Sequence, residues 1–107
     1  MAGEIKTDPV KAVHIPDKRN FRDGLFGDVP GSFRVDDPED DGEQIFWFCC
    51  PCGCRRIAPL TVGREFKPDD SPSWSWNGSL EAPTLSPSVH RVGHWHGHLV
   101  DGMWESC

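Results

Sequence analysis

The run HWHGHLVDGMWESC, His94 to Cys107, decides how the rest of the chain is read. Asp101-Gly102 is a strong two-residue type I′ turn signal between two strand-like segments, because both central residues of that turn need positive φ. With that loop, Val100 faces Met103, Leu99 faces Trp104 and His98 faces Glu105. Further out, Gly97 faces Ser106, and His96 falls opposite Cys107. Side chains alternate along a strand, so Trp95, Leu99 and Trp104 share an apolar face, while His94, His96, His98 and Cys107 share the other. Directly opposed residues have Cβ atoms about 5 Å apart. His96 and Cys107 are therefore close enough to share a metal ion.

The natural counterpart lies upstream, in FWFCCPCGCRR, Phe46 to Arg56, which holds four of the five cysteines. Zinc takes four tetrahedral ligands from thiolates and imidazoles, often two on a tight turn and two from a distant element. Two registers are open. Cys49-x-x-Cys52-Gly53 resembles a knuckle, and Cys50-x-Cys52-x-Cys54 uses Pro51 and Gly53 to shape the turn. A disulfide within the cluster would close a very short, strained loop. A redox pair of the thioredoxin kind would open a helix, which Pro51, Gly53 and the β-prone flanks oppose; redox use and free structural thiols remain as alternatives. The two halves together predict a Zn2+ site that joins the cysteine turn to His96 and Cys107 of the hairpin; spacing alone leaves open which cysteines of the cluster bind.

At 107 residues, 36 % of them apolar, the chain is near the small end of what one core can hold. Domains of this size often recruit a metal or disulfides. A formal net charge of −6 speaks against a nucleic-acid partner. No apolar run reaches membrane-spanning length, and MAGEIKTDPVKAV lacks the core of a signal peptide. The expected location is cytoplasmic, or virion-associated if the chain is phage-encoded.

Residues 1–42 are rich in Pro, Gly and Asp, with short apolar groups at Val10, Val13 and Ile15, at Phe21, Leu25 and Phe26, and at Val29, Phe33 and Val35. They read as an extended, irregular N-terminal arm that docks in places on the body and reaches a protein partner or assembly. DDPEDDG, Asp36 to Gly42, reads as a solvated loop. Residues 43–107 read as short strands and turns, with Trp74 and Trp76 covering the core. APTLSPSVHRV, with Pro83 and Pro87, suits an edge strand. The predicted fold is mainly β: a small, zinc-stabilised antiparallel β-domain with a C-terminal hairpin and a long irregular arm.

CPCGC (Cys50–Cys54), a Trp-Asn-Gly segment, PTLSPSV (Pro83–Val89) and HWHGHLVDGMW together resemble a family of small bacterial and phage proteins of unknown function. Some relatives carry an "ammonia monooxygenase" label, and some related domains accompany bacterial ubiquitin-like conjugation systems. The resemblance covers about Ile45 to Cys107. It implies Cys50, Cys52, Cys54 and His96 as metal ligands and a protein-interaction role. Two positions depart from the family pattern: Arg55 stands where a second glycine is usual, and Gly93 where many members have a cysteine. The fourth ligand then falls to His94 or Cys107, and the hairpin arithmetic favours Cys107.

No nucleophile–base–acid arrangement is readable in the sequence. The function expected is a zinc-binding structural or protein-interaction module rather than an enzyme. The alternative is a zinc-dependent hydrolase that uses metal-bound water, with His94, His98 or Glu105 as general base.

Overall fold

A computed structural model describes residues 6–17 and 29–107, together with the backbone of 22–23 and 26–27. The apolar positions Phe21 and Leu25, and the side chain of Phe26, lie outside the described residues. The fold is mainly β, and among the described residues there is no helix. Nothing in it is a helix long and apolar enough to cross a membrane.

One sheet has four strands, in the order β1 (Val10–Lys11), β12 (Met103–Ser106), β11 (Trp95–Val100), β10 (Val89–Arg91). The second has six, in the order β2 (Val13–His14), β5 (Ser32–Val35), β6 (Glu43–Cys49), β7 (Ile57–Arg64), β8 (Trp74–Trp76), β9 (Leu85–Ser86). A separate pair joins β3 (Arg22–Asp23) and β4 (Phe26–Gly27). Pairing is antiparallel except between β2 and β5 and between β7 and β8.

The hairpin register follows the turn chemistry. Val100 pairs with Met103, Leu99 with Trp104, His98 with Glu105 and Gly97 with Ser106. The register carries through to the last residue, whose N–H donates to the His96 carbonyl at 3.0 Å. Asp101 and Gly102 have φ of +48° and +81°, as a type I′ turn requires. The alternation then sends Trp95, Leu99 and Trp104 inward, where all three are fully buried. Each such burial contributes about 1.5–3 kcal/mol.

Those side chains meet the inner face of the six-stranded sheet. Phe48 stacks on Trp104 at 5.1 Å between ring centroids, and Trp95 meets Trp104 edge-on at 5.7 Å. Phe33 and Phe46 stack at 4.9 Å, and Trp76 abuts Phe46 edge-on at 6.1 Å. Trp74 packs against the same cluster. Burying an indole N–H is costly unless it finds an acceptor. Trp95 donates to the Ser106 Oγ at 2.9 Å and Trp104 to the Gly31 carbonyl at 2.9 Å. Gly97 is buried under the Trp95 indole and beside the Glu105 carbonyl; a Cβ there would overlap both.

The described part of the N-terminal segment is tied to this body. Thr7 N–H donates to the Ser106 Oγ at 2.9 Å, and Ala12 N–H to the Gly102 carbonyl at 2.8 Å. Phe33, on β5, is fully buried in the core. The acidic stretch joins β5 to β6, and within it Asp36 holds Arg34 at 2.6 Å and the Trp47 indole at 2.9 Å.

Candidate functional site

The cysteine turn is the end of one strand and the start of the next. β6 finishes at Cys49, which pairs with Ile57, and Cys50 N–H donates to the Arg56 carbonyl at 2.9 Å to close the loop. Inside it, Gly53 N–H donates to the Cys50 carbonyl at 3.3 Å, and the chain turns with φ of +94° at Gly53 and +65° at Arg55. The left-handed region is open to glycine but costs an L-residue about 1–2 kcal/mol. Arg55 therefore sits where glycine would be unstrained, which gives the departure from the usual second glycine a physical meaning.

The turn gathers three thiols. The Sγ atoms of Cys50, Cys52 and Cys54 lie within 4.8 Å of one another. The Cys50 thiol donates to the Cys52 Sγ at 3.2 Å, and Cys54 N–H donates to the same sulfur at 3.4 Å. Cys50 is fully buried, whereas Cys52 and Cys54 are half-buried. Burial pushes the Cys50 thiol well above the ordinary thiol range. Burial also works against ionising Cys54. There the Arg56 backbone N–H, hydrogen bonds from Cys52 and Cys50 and the charge of Arg91 outweigh it, so its pKa falls. Thiolates are the metal-binding form, and a bound cation deprotonates its ligands. Three convergent sulfurs on a rigid turn suit a soft, tetrahedral ion. Cys49 is buried although strand alternation places it on the face of β6 opposite Phe46 and Phe48, and among the described residues no disulfide forms.

His96 and Cys107 face each other across β11 and the end of β12, but they are not among the ligand atoms gathered at the turn. Cys107 is exposed and His98 is exposed. His94 is half-buried in the turn between β10 and β11, its N–H donating to the Arg91 carbonyl at 2.8 Å.

What His96 does meet is a serine. Its Nε2 lies 3.1 Å from the Ser88 Oγ, within hydrogen-bond reach. The contact depends on how the chain changes sheets. β9 is the outer strand of the six-stranded sheet and β10 the outer strand of the four-stranded one. Pro87, after a cis Ser86–Pro87 bond, and Ser88 make the step between them. The Trp74 indole holds the step by donating to the Ser88 carbonyl at 3.1 Å. On β10, His90 pairs with His96, and their rings lie 4.5 Å apart. Both partners are half-buried, so the hydroxyl and imidazole are sheltered yet reachable.

A serine hydroxyl against an imidazole is the minimal nucleophile–base unit of acyl transfer. Sequence reasoning did not single out Ser88. The signal available was PTLSPS itself, whose second serine stands eight residues ahead of a histidine.

No curated protein and no solved structure matches this chain. Residues 22–107 match a family model described as "Bacterial ubiquitination-like system serine protease (BubE)". The resemblance to small bacterial proteins linked with ubiquitin-like conjugation is thereby given a definite family. With the match spanning both the cysteine turn and the Ser88–His96 contact, the chain belongs to the BubE family of bacterial ubiquitination-like systems.

Proposed function

We propose that this protein is a serine hydrolase acting on an amide bond of a protein substrate within a ubiquitination-like system. Ser88 is the nucleophile and His96 the general base. The observation that carries this reading is the 3.1 Å contact between the Ser88 Oγ and His96 Nε2, and the family's own description supports it. Ser88 Oγ attacks the scissile carbonyl while His96 Nε2 takes its proton. His96 then returns that proton to the leaving amine as the C–N bond breaks, and water, deprotonated by the same imidazole, releases the acyl group from Ser88. The protein substrate follows from the family context. The expected role as a protein-interaction module thus becomes that of an enzyme that must dock a protein.

The cysteine turn has a structural task in this reading. Cys50, Cys52 and Cys54 would hold a zinc ion, whose binding contributes folding free energy. We choose His94 as its fourth ligand. His94 lies in the turn between β10 and β11, its N–H donating to the Arg91 carbonyl, and its ring is not among the ligand atoms gathered with the three sulfurs.

Labelling with a fluorophosphonate, followed by mass spectrometry of the peptides, tests the assignment. The adduct is expected on Ser88, and both Ser88→Ala and His96→Gln should lose labelling and peptide cleavage by about 10³-fold or more with unchanged folding. The double variant should be no worse than either single one, because the two groups act as a unit. An adduct elsewhere, or full activity in Ser88→Ala, rejects the reading. Activity lost on chelation but kept in Ser88→Ala would favour the metal-bound-water alternative.

A further inference from the structure

We propose that Trp74 is a positioning residue for the reaction: its indole N–H fixes the main chain of Ser88 so that the hydroxyl stays in line with His96. The proposal rests on the Ser88–His96 reading. It adds a group that touches neither substrate nor the reacting atoms.

The need for such a group follows from the step between the sheets. β8 and β9 pair antiparallel, Trp76 with Leu85 and Ser75 with Ser86. One residue further, Trp74 falls opposite Pro87, which has no N–H to continue the ladder. On the other side, pairing with β11 begins at Val89, opposite Gly97. Pro87 and Ser88 thus belong to neither strand and lie between two ladders. In that gap the Trp74 Nε1–H donates to the Ser88 carbonyl at 3.1 Å. A side-chain donor takes the place of the main-chain one that proline lacks.

The indole is itself anchored. Trp74 pairs with Val62 on β7, and its side chain packs against the buried core. The carbonyl carbon and Cβ of Ser88 share one Cα, so holding the carbonyl limits the rotation that would carry Oγ away. His96 Nε2 lies 3.1 Å from that Oγ. Proton transfer and attack both need this alignment, and a misplacement of about 1 Å can cost on the order of 10²-fold in rate.

Trp76 provides the contrast. It stands on the same face of β8, is buried, and donates its indole N–H to the Ser79 carbonyl at 3.2 Å. The same type of bond from the same strand is there spent on the loop that follows β8, not on the nucleophile's segment.

The experiment measures fluorophosphonate labelling of the full chain against reagent concentration, with denaturant titrations in parallel and the adduct mapped by mass spectrometry. Trp74→Phe and Trp76→Phe should both lower the denaturation midpoint. Only Trp74→Phe should slow the maximal rate of labelling at Ser88, by about tenfold, with the half-saturating concentration unchanged. Replacing Trp74 by 3-benzothienylalanine, which keeps the bicyclic shape and has sulfur in place of the N–H, should reproduce that loss without a packing change. A wild-type maximal rate in the benzothienyl protein overturns the role of Trp74 and leaves the Ser88 reading standing. An equal loss in Trp76→Phe, or a loss confined to the half-saturating concentration, overturns it as well. A wild-type adduct found anywhere but Ser88 rejects the Ser88–His96 reading and this proposal with it.

Discussion

The cysteine turn and the Ser88–His96 pair are built over very different lengths of logic. The turn brings three sulfurs within 4.8 Å from five consecutive residues, using one hydrogen-bonded loop. The serine–histidine contact needs a switch between two sheets, a turn and a cross-strand register before two atoms come to 3.1 Å. A local site tolerates distant changes and is sensitive to its own backbone. A site made by register is exposed to any shift of the strands that carry it.

The widest separation between the two should come from Cys52→Ser. A structural zinc is worth on the order of 10 kcal/mol, so loss of a central thiolate should abolish tight zinc binding and lower the melting temperature steeply. Fluorophosphonate labelling of Ser88 should persist at temperatures where the variant remains folded. Labelling lost in a folded variant would mean that the two regions form one site.

Gly97→Ala probes the opposite dependence. The new Cβ would overlap the Trp95 indole and the Glu105 carbonyl, forcing β11 away from β12. Overpacking of this kind costs about 1–3 kcal/mol. Denaturant titration should show that loss, and labelling of Ser88 should fall more than zinc affinity, since β11 carries His96 and none of Cys50, Cys52 and Cys54. Equal effects on both would break the contrast.

Arg55→Gly should act on the turn alone. Relief of a left-handed arginine at φ +65° is expected to stabilise the zinc-loaded protein by about 1 kcal/mol, seen as a higher denaturation midpoint with unchanged cleavage. In the metal-free protein the turn should also add a pH dependence. Burial raises the Cys50 pKa in the fold, so its contribution is complete below the ordinary thiol value of about 8.5. It is lost as the pH rises above that value, because the unfolded chain gives up the proton first. Cys50→Ala should flatten the alkaline limb of stability measured against pH.

Much of this was legible from the residues. Asp101-Gly102 determined the hairpin register through to Cys107, because a type I′ turn leaves only one pairing and alternation then sorts Trp95, Leu99 and Trp104 from the histidines. Cys50-x-Cys52-x-Cys54 around Pro51 and Gly53, one of two registers the sequence left open, likewise pointed to a turn whose thiols gather and could hold a metal ion, since neighbours in sequence cannot stray far in space. The placement of Ser88 was different. Pro83 and Pro87 marked its segment as an edge, yet they could not say that it serves two edges in succession. Nor could they say that β10 pairs with β11 so as to bring the serine to His96. Local turn chemistry and strand alternation act over a few residues and are written in the chain. The partner of His96 was decided only when the two sheets closed on Phe48, Trp95 and Trp104, because packing of the whole core sets which edges meet.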